Sequence, residues 1–189
     1  MNGRRNCTHR RGMDQRGITA IEALIGIAVL TILALLAIPA SSILIERHHL
    51  KSASSNLVDG IYLAKREAEV RASTVRVCPS DDGRSCRVDG DWSQGWLVYS
   101  DGNADGVVQD IEVIEAYEAP GGHLRIVASG AAQTAAAFNS AGLVRDNGSA
   151  SGEFVLCAGD SRSGSRVIFI QSDGWVTMDS TNDRACETG

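Results

Sequence analysis

Twenty-one residues from Ile18 to Ile38 carry a single charge, Glu22, and that stretch constrains the chain more than any other. As a helix, a run of this length crosses the hydrocarbon core of a bilayer. A cleaved secretory signal has a shorter apolar run, about 7–15 residues, ahead of a small-residue cleavage site. The one such site here, Ile38-Pro39-Ala40, is poor. Glu22 is informative because a carboxylate inside a membrane is costly and marks a functional site with a partner.

Residues 1–17 read as a leader, to be excluded from fold reasoning. Arg4, Arg5, Arg10, Arg11 and Arg16 stand there against Asp14 alone, so this end is expected to stay cytoplasmic while the remainder is exported. Without the leader the chain keeps 18 − 5 = 13 Lys+Arg and 23 − 1 = 22 Asp+Glu, a formal net charge of −9. Cys7 leaves with it, and four cysteines remain.

Gly17, Ile18, Thr19 and Glu22, the apolar run and Pro39 together resemble the start of a type IV prepilin. In that family an inner-membrane prepilin peptidase cuts after the glycine and methylates the new N-terminus. The resemblance therefore implies cleavage between Gly17 and Ile18 and places Glu22 at the fifth mature position. The usual first mature residue is phenylalanine, from which Ile18 departs. The family also implies that the carboxylate at Glu22 pairs with the N-terminal amine of a neighbouring subunit, which agrees with the need of a charge in an apolar bundle for a counter-charge.

From Ala40 to Arg71 there is one glycine, Gly60, and no proline. Ile43, Leu50, Leu57, Ile61, Ala64 and Ala68 recur at three-, four- and seven-residue steps, the signature of one helix face. Lys51, Lys65, Arg66, Glu67 and Glu69 occupy the other positions, and Pro39 can be carried as a kink in one long helix. From Thr74 the period becomes alternating. Thr74–Cys78, Trp96–Tyr99, Ile111–Ile114, Leu124–Val127, Glu153–Cys157, Arg166–Ile170 and Gly174–Met178 read as strands, the last behind an Asp173-Gly174 turn. Ala131 to Ala137 is alanine-rich but too short to carry an argument. Helix first and strands after predicts an α+β fold, with the helical stripe laid across an antiparallel sheet. The expected organisation is a leader over 1–17, a membrane or fibre-core half of the helix over 18–38, an amphipathic half over 39–72 and a β-rich head over 73–189.

The head narrows the resemblance. Cys78-Pro79-Ser80-Asp81-Asp82-Gly83 with Cys86, Trp92-Ser93-Gln94-Gly95-Trp96-Leu97-Val98-Tyr99 and Asp101-Gly102-Asn103-Ala104-Asp105-Gly106 are similar to the GspH/FimT group of minor pilins and pseudopilins. Phe138-Asn139-Ser140-Ala141-Gly142 and Phe154-Val155-Leu156-Cys157 extend the match. The resemblance implies the type IV pilin fold and a place at or near the tip of a type IV pilus, or in a type II secretion pseudopilus. It also implies a single-pass inner-membrane protein with a periplasmic head before assembly. Its partners would be the prepilin peptidase and other pilin or pseudopilin subunits.

Four cysteines in an exported chain fit disulfides, and three pairings are open. Cys78 with Cys86 would staple a loop beside the first strand, and Cys157 with Cys186 would tie the C-terminal tail to a strand. Zinc is disfavoured, since C-x7-C has no CxxC partner and His48, His49 and His123 are scattered. Asp101, Asn103, Asp105, Gly106 and Glu112 satisfy the calcium-loop pattern D-x-N-x-D-G-x5-E, although strands rather than helices flank it. An Asx- and Gly-stabilised turn is the competing reading, so no cofactor is required and calcium is an option.

Some FimT-like members bind DNA through Gly-Arg-x-Arg near the C-terminus. The corresponding stretch here is Gly174-Trp175-Val176-Thr177, without either arginine. A net charge of −9 also opposes phosphate attraction, and nucleic acid is not an expected partner. The remaining basic candidates are Arg145, Arg162, Arg166 and Arg184. An enzyme is set aside: Gly159-Asp160-Ser161 is not a G-x-S-x-G elbow, and His123 is the sole histidine of the β-rich part.

Overall fold

The computed structural model describes residues 19–144, 151–159, 164–179 and Cys186, with the side chains of residues 35–42 excepted. The chain divides into two compact units, Met1–Pro39 and Ala40–Gly189. One helix, α1 (Ala20–Arg71), contributes to both.

In the first unit α1 begins behind Thr19, whose hydroxyl accepts the backbone N–H of Glu22 at 3.3 Å. That contact satisfies one of the N–H groups a helix start leaves without a partner. Glu22 lies in the first turn, where the helix dipole favours negative charge. Every described side chain from Thr19 to Ala34 is exposed, and Ile21, Leu24 and Leu30 each show about two thirds of their surface, 68%, 66% and 67%.

In the second unit α1 buries a stripe of Leu50, Ala53, Leu57, Ile61, Ala64 and Ala68. These share one core with Val75, Val77, Trp96 and Val98 of one sheet and Ile126, Phe154, Leu156, Ile168 and Ile170 of another. Fully burying a side chain such as Leu57 or Ile61 contributes about 1.5–3 kcal/mol, so this stripe anchors the helix. Small residues bring it close: a Cβ on Gly60 would lie 3.2 Å from the Trp96 indole nitrogen and 3.3 Å from the Tyr117 ring. The helix stops at Ala72, which takes a left-handed φ of 51° while the Ser73 N–H reaches the Ala68 carbonyl at 3.3 Å. That is a Schellman-type ending.

The strands are β1 (Thr74–Pro79), β2 (Gly95–Asp101), β3 (Val113–Glu118), β4 (Arg125–Gly130), β5 (Ala136–Phe138), β6 (Gly152–Cys157), β7 (Ser165–Ile170) and β8 (Val176–Asp179). They form two antiparallel four-stranded sheets, ordered β3-β2-β1-β5 and β4-β6-β7-β8. A 3-10 turn, Trp92–Gln94, links them. Its Trp92 ring meets Phe154 edge-on at 4.8 Å, and the Ser93 hydroxyl accepts the Ile126 N–H at 2.9 Å.

The sequence expectation of one antiparallel sheet is replaced by two, and three strand assignments change. Ile111 and Glu112 belong to a turn, so that strand starts at Val113. The last strand starts at Val176, because Gly174 at φ 74° and Trp175 complete the turn from Gln171. The alanine-rich tract is structural after all. Ala136 to Phe138 pair with Val77 to Val75, and Ala131, Ala132, Ala136 and Ala137 are buried.

Candidate assembly surfaces

Gly17 and Ile18, the expected cleavage and methylation positions, lie outside the described residues, as does the side chain of Pro39. The expected span from Ile18 to Ile38 therefore has side chains described only from Thr19 to Ala34. Among the described residues, no helix is long and apolar enough to cross a membrane. What the described segment presents is one carboxylate, Glu22, on an otherwise apolar and exposed helix. The Thr19-x-x-Glu22 spacing is half of a capping box, so Glu22 marks the helix start.

The head carries two disulfides, Cys78–Cys86 with Cα atoms 5.5 Å apart and Cys157–Cys186 at 5.8 Å. The first closes a short loop whose base is held by backbone bonds from Ser80 N–H to Gly95 O at 3.0 Å and from Arg87 N–H to Pro79 O at 2.8 Å. Inside it, Asp82 accepts the Arg84 N–H, the Ser85 hydroxyl and N–H, and the Ser80 hydroxyl. These donors, the Arg84 N–H foremost, hold its carboxyl well below the usual carboxylate range. Arg87 pairs with Asp81 at 2.9 Å and with Asp89. The hydrogen bond from Arg87 is the main reason the Asp89 pKa falls to about 2. The second disulfide seats Cys186 beside β4, where its carbonyl accepts Arg125 Nη2 at 2.9 Å.

Asp101, Asn103, Asp105 and Glu112 do come into one loop, but their oxygens face donors of the chain itself. Asp101, buried at the end of β2, pairs with Arg76 Nε at 2.9 Å and accepts the Gly106 N–H at 3.4 Å. Asp105 accepts the Val107 N–H at 2.8 Å, Asn103 Nδ2 at 2.8 Å and Gln109 Nε2 at 2.9 Å. Glu112 accepts the Gln109 N–H at 3.2 Å. Among the described residues no group of three His, Cys, Asp or Glu side chains is gathered to hold a metal ion. As arranged, the loop is a hydrogen-bonded turn in which Arg76 supplies the positive charge beside Asp101.

Of the basic candidates, Arg145, Arg162 and Arg184 lie outside the described residues. Arg166 is on β7 with Nη1 3.0 Å from the Met178 sulfur. Trp175 stands 58% exposed.

A helix with an exposed apolar first part and an amphipathic second part, the latter packed on antiparallel sheets, defines a type IV pilin-like subunit. More narrowly, the chain belongs to the GspH family of minor pilins and pseudopilins: the family described as Type II transport protein GspH matches residues 53–174, more than half of the chain. The fold is similar to the type IV minor pilin FimU of Pseudomonas aeruginosa at 18% identity and TM-score 0.53, covering 71% of this chain and 90% of that one. It is also similar to the minor pseudopilin EpsH from the type 2 secretion system of Vibrio cholerae, at 11% identity and TM-score 0.50, covering 70% and 97%. No curated protein matches the chain.

Proposed function

We propose that this chain is a structural subunit, a minor pilin built in at or near the tip of a type IV pilus after cleavage between Gly17 and Ile18 and N-methylation. The observation that carries the reading is the start of α1, Ala20 to Ala34, exposed throughout and apolar but for Thr31 and Glu22, its one charge. Water does not favour such a surface, so a bilayer before assembly and neighbouring helices after it are the environments that fit. Before assembly the head is periplasmic and the chain is held in the inner membrane. The reading calls for no cofactor and no catalytic residue.

Intact-mass analysis of sheared pilus material tests the reading. The expected chain begins at methylated Ile18, and one that keeps Met1 to Gly17 overturns it. Glu22→Ala is expected to leave cleavage intact and to abolish incorporation, because a neighbour's N-terminal amine loses its counter-charge. A second reading, a type II secretion pseudopilus subunit, is favoured by the description of the matching family. Deleting the chain separates the two: loss of pili with secretion retained supports the pilus, and the reverse supports the pseudopilus.

A further inference from the structure

Among the described residues, strand β3 lies at the edge of its sheet, hydrogen-bonded to β2 on one side only. Its end, Ala116–Glu118, runs between two hollows of about 360 Å³ each. One is walled by His49, Ser52 and Asn56 of α1, the other by Asp81, Arg84 and Gln94.

The hollows open on opposite faces of the sheet. Tyr117 is paired with Trp96 and stacks on it at 5.5 Å, on the side of the core that α1 covers. Ala116 is paired with Leu97, which packs with Cys78 and Tyr99 in a separate cluster. On that side the disulfide loop comes close, since a Cβ on Gly83 would lie 3.2 Å from the Ala116 Cβ. Successive side chains of a strand point to opposite faces. An extended segment laid along β3 would therefore put one side chain into each hollow in turn.

Proteins block open edges with lysine, proline or a bulge. The segment Val113 to Glu118 has no lysine or proline, and the one irregularity in its pairing, between Val98 and Tyr99, is away from Ala116–Glu118. The edge is acidic instead. Glu115 and Glu118 are exposed and make no ion pair among the described residues. Burial, and then the charges of Glu115 and Asp59, push the Tyr117 phenol upward.

We infer that the β3 edge at Ala116–Glu118 receives an extended, lysine- or arginine-bearing segment of a neighbouring fibre subunit by strand addition. Main-chain pairing supplies affinity, and the two hollows with Glu115 and Glu118 supply selection. The inference rests on the fibre-subunit reading above.

A photo-reactive benzophenone side chain at exposed Ala119 of the full-length chain, in cells that assemble the fibre, tests it. Ser129 on β4 is the control position. The expected adduct maps to a basic, extended segment of a second pilin-like subunit. Combining Glu115→Lys with Glu118→Lys, two exposed positions, is expected to cut its yield per incorporated copy about tenfold, with leader processing retained. No adduct from a chain that is present in the fibre overturns strand addition and leaves the subunit reading standing. Strand addition is likewise overturned if the adduct is unmoved by the double reversal, equals that at Ser129, or maps to an acidic or helical segment. Absence of the unmodified chain from fibres overturns the subunit reading itself, and this inference with it.

Discussion

Asp101 shows how one carboxylate can serve architecture where its spacing suggests a ligand. Its side chain is 1% exposed and faces Arg76 across β1 and β2. Buried Asp101 accepts charge-assisted hydrogen bonds from Arg76 and the Gly106 N–H, so Asp101→Ala is expected to cost about 1–3 kcal/mol in urea denaturation. The loss should be the same in calcium and in chelator, and millimolar calcium should move the parent's Tm by less than about 1 °C. A rise of several degrees that vanishes in both Asp101→Ala and Glu112→Ala would establish the calcium reading. Asp82 and Asp89 add a pH dependence whose sign follows from their lowered pKa. The unfolded chain titrates each near the ordinary 3.8. Both contributions are complete above that value and are lost as the pH falls toward the folded pKa, which for Asp89 is about 2. Thermal stability is thus expected to decline between about pH 4 and pH 2, and Asp82→Asn should flatten that decline while lowering the plateau. An unchanged slope in Asp82→Asn would show that this loop contributes nothing to acid stability.

At the scale of elements, the end of α1 offers a direct test. Ala72 holds a left-handed φ of 51° with no glycine to ease it. Ala72→Gly is expected to raise stability by about 0.5–1 kcal/mol, the relief of the Cβ clash exceeding the added freedom of the unfolded chain. A loss on substitution would mean that the turn into β1 is held by contacts of the alanine methyl. The stripe that docks this helix was legible because Leu50, Leu57, Ile61, Ala64 and Ala68 repeat at helical spacing. Ala53 and Ser54 also face the core and were missed, since neither stands out by hydropathy. Most strands were legible from β-branched alternation. β5 was not, because alanine has low strand propensity and its place is set by pairing with Val75 to Val77 of β1, distant in sequence. Ile111 misled through its branched side chain, yet it is 94% exposed in a turn closed by the Glu112 N–H on the Gln109 carbonyl at 2.8 Å. Which strands pair, and that they form two sheets, depends on contacts distant in sequence that no local period encodes.

For the whole molecule, the disposition of charge decides between a purely structural subunit and a DNA receptor. Glu22 stands out in the sequence because its chemistry is local; a basic surface would have to be assembled from scattered residues. The structure spends several of those residues elsewhere. Arg71 pairs with Glu67, Arg76 with Asp101, Arg87 with Asp81 and Asp89, and Arg125 with the Cys186 carbonyl. Lys65 caps the Asp173 carbonyl at 2.9 Å. Cations engaged in this way neutralise few phosphates, and nonspecific affinity for duplex DNA comes from releasing counterions one phosphate at a time. The second unit, Ala40–Gly189, is therefore expected to bind duplex DNA with a Kd weaker than about 10⁻⁴ M at physiological salt, and with a log–log salt slope shallower than about −2. A gel-shift titration at two salt concentrations measures both. Trp175→Arg with Thr177→Arg, which supplies the two arginines missing from the turn and β8, is expected to steepen the slope by about one to two. Tight, steeply salt-dependent binding by the unaltered unit, lost on Arg162→Ala, Arg166→Ala or Arg184→Ala, would instead place a DNA-binding surface on this head.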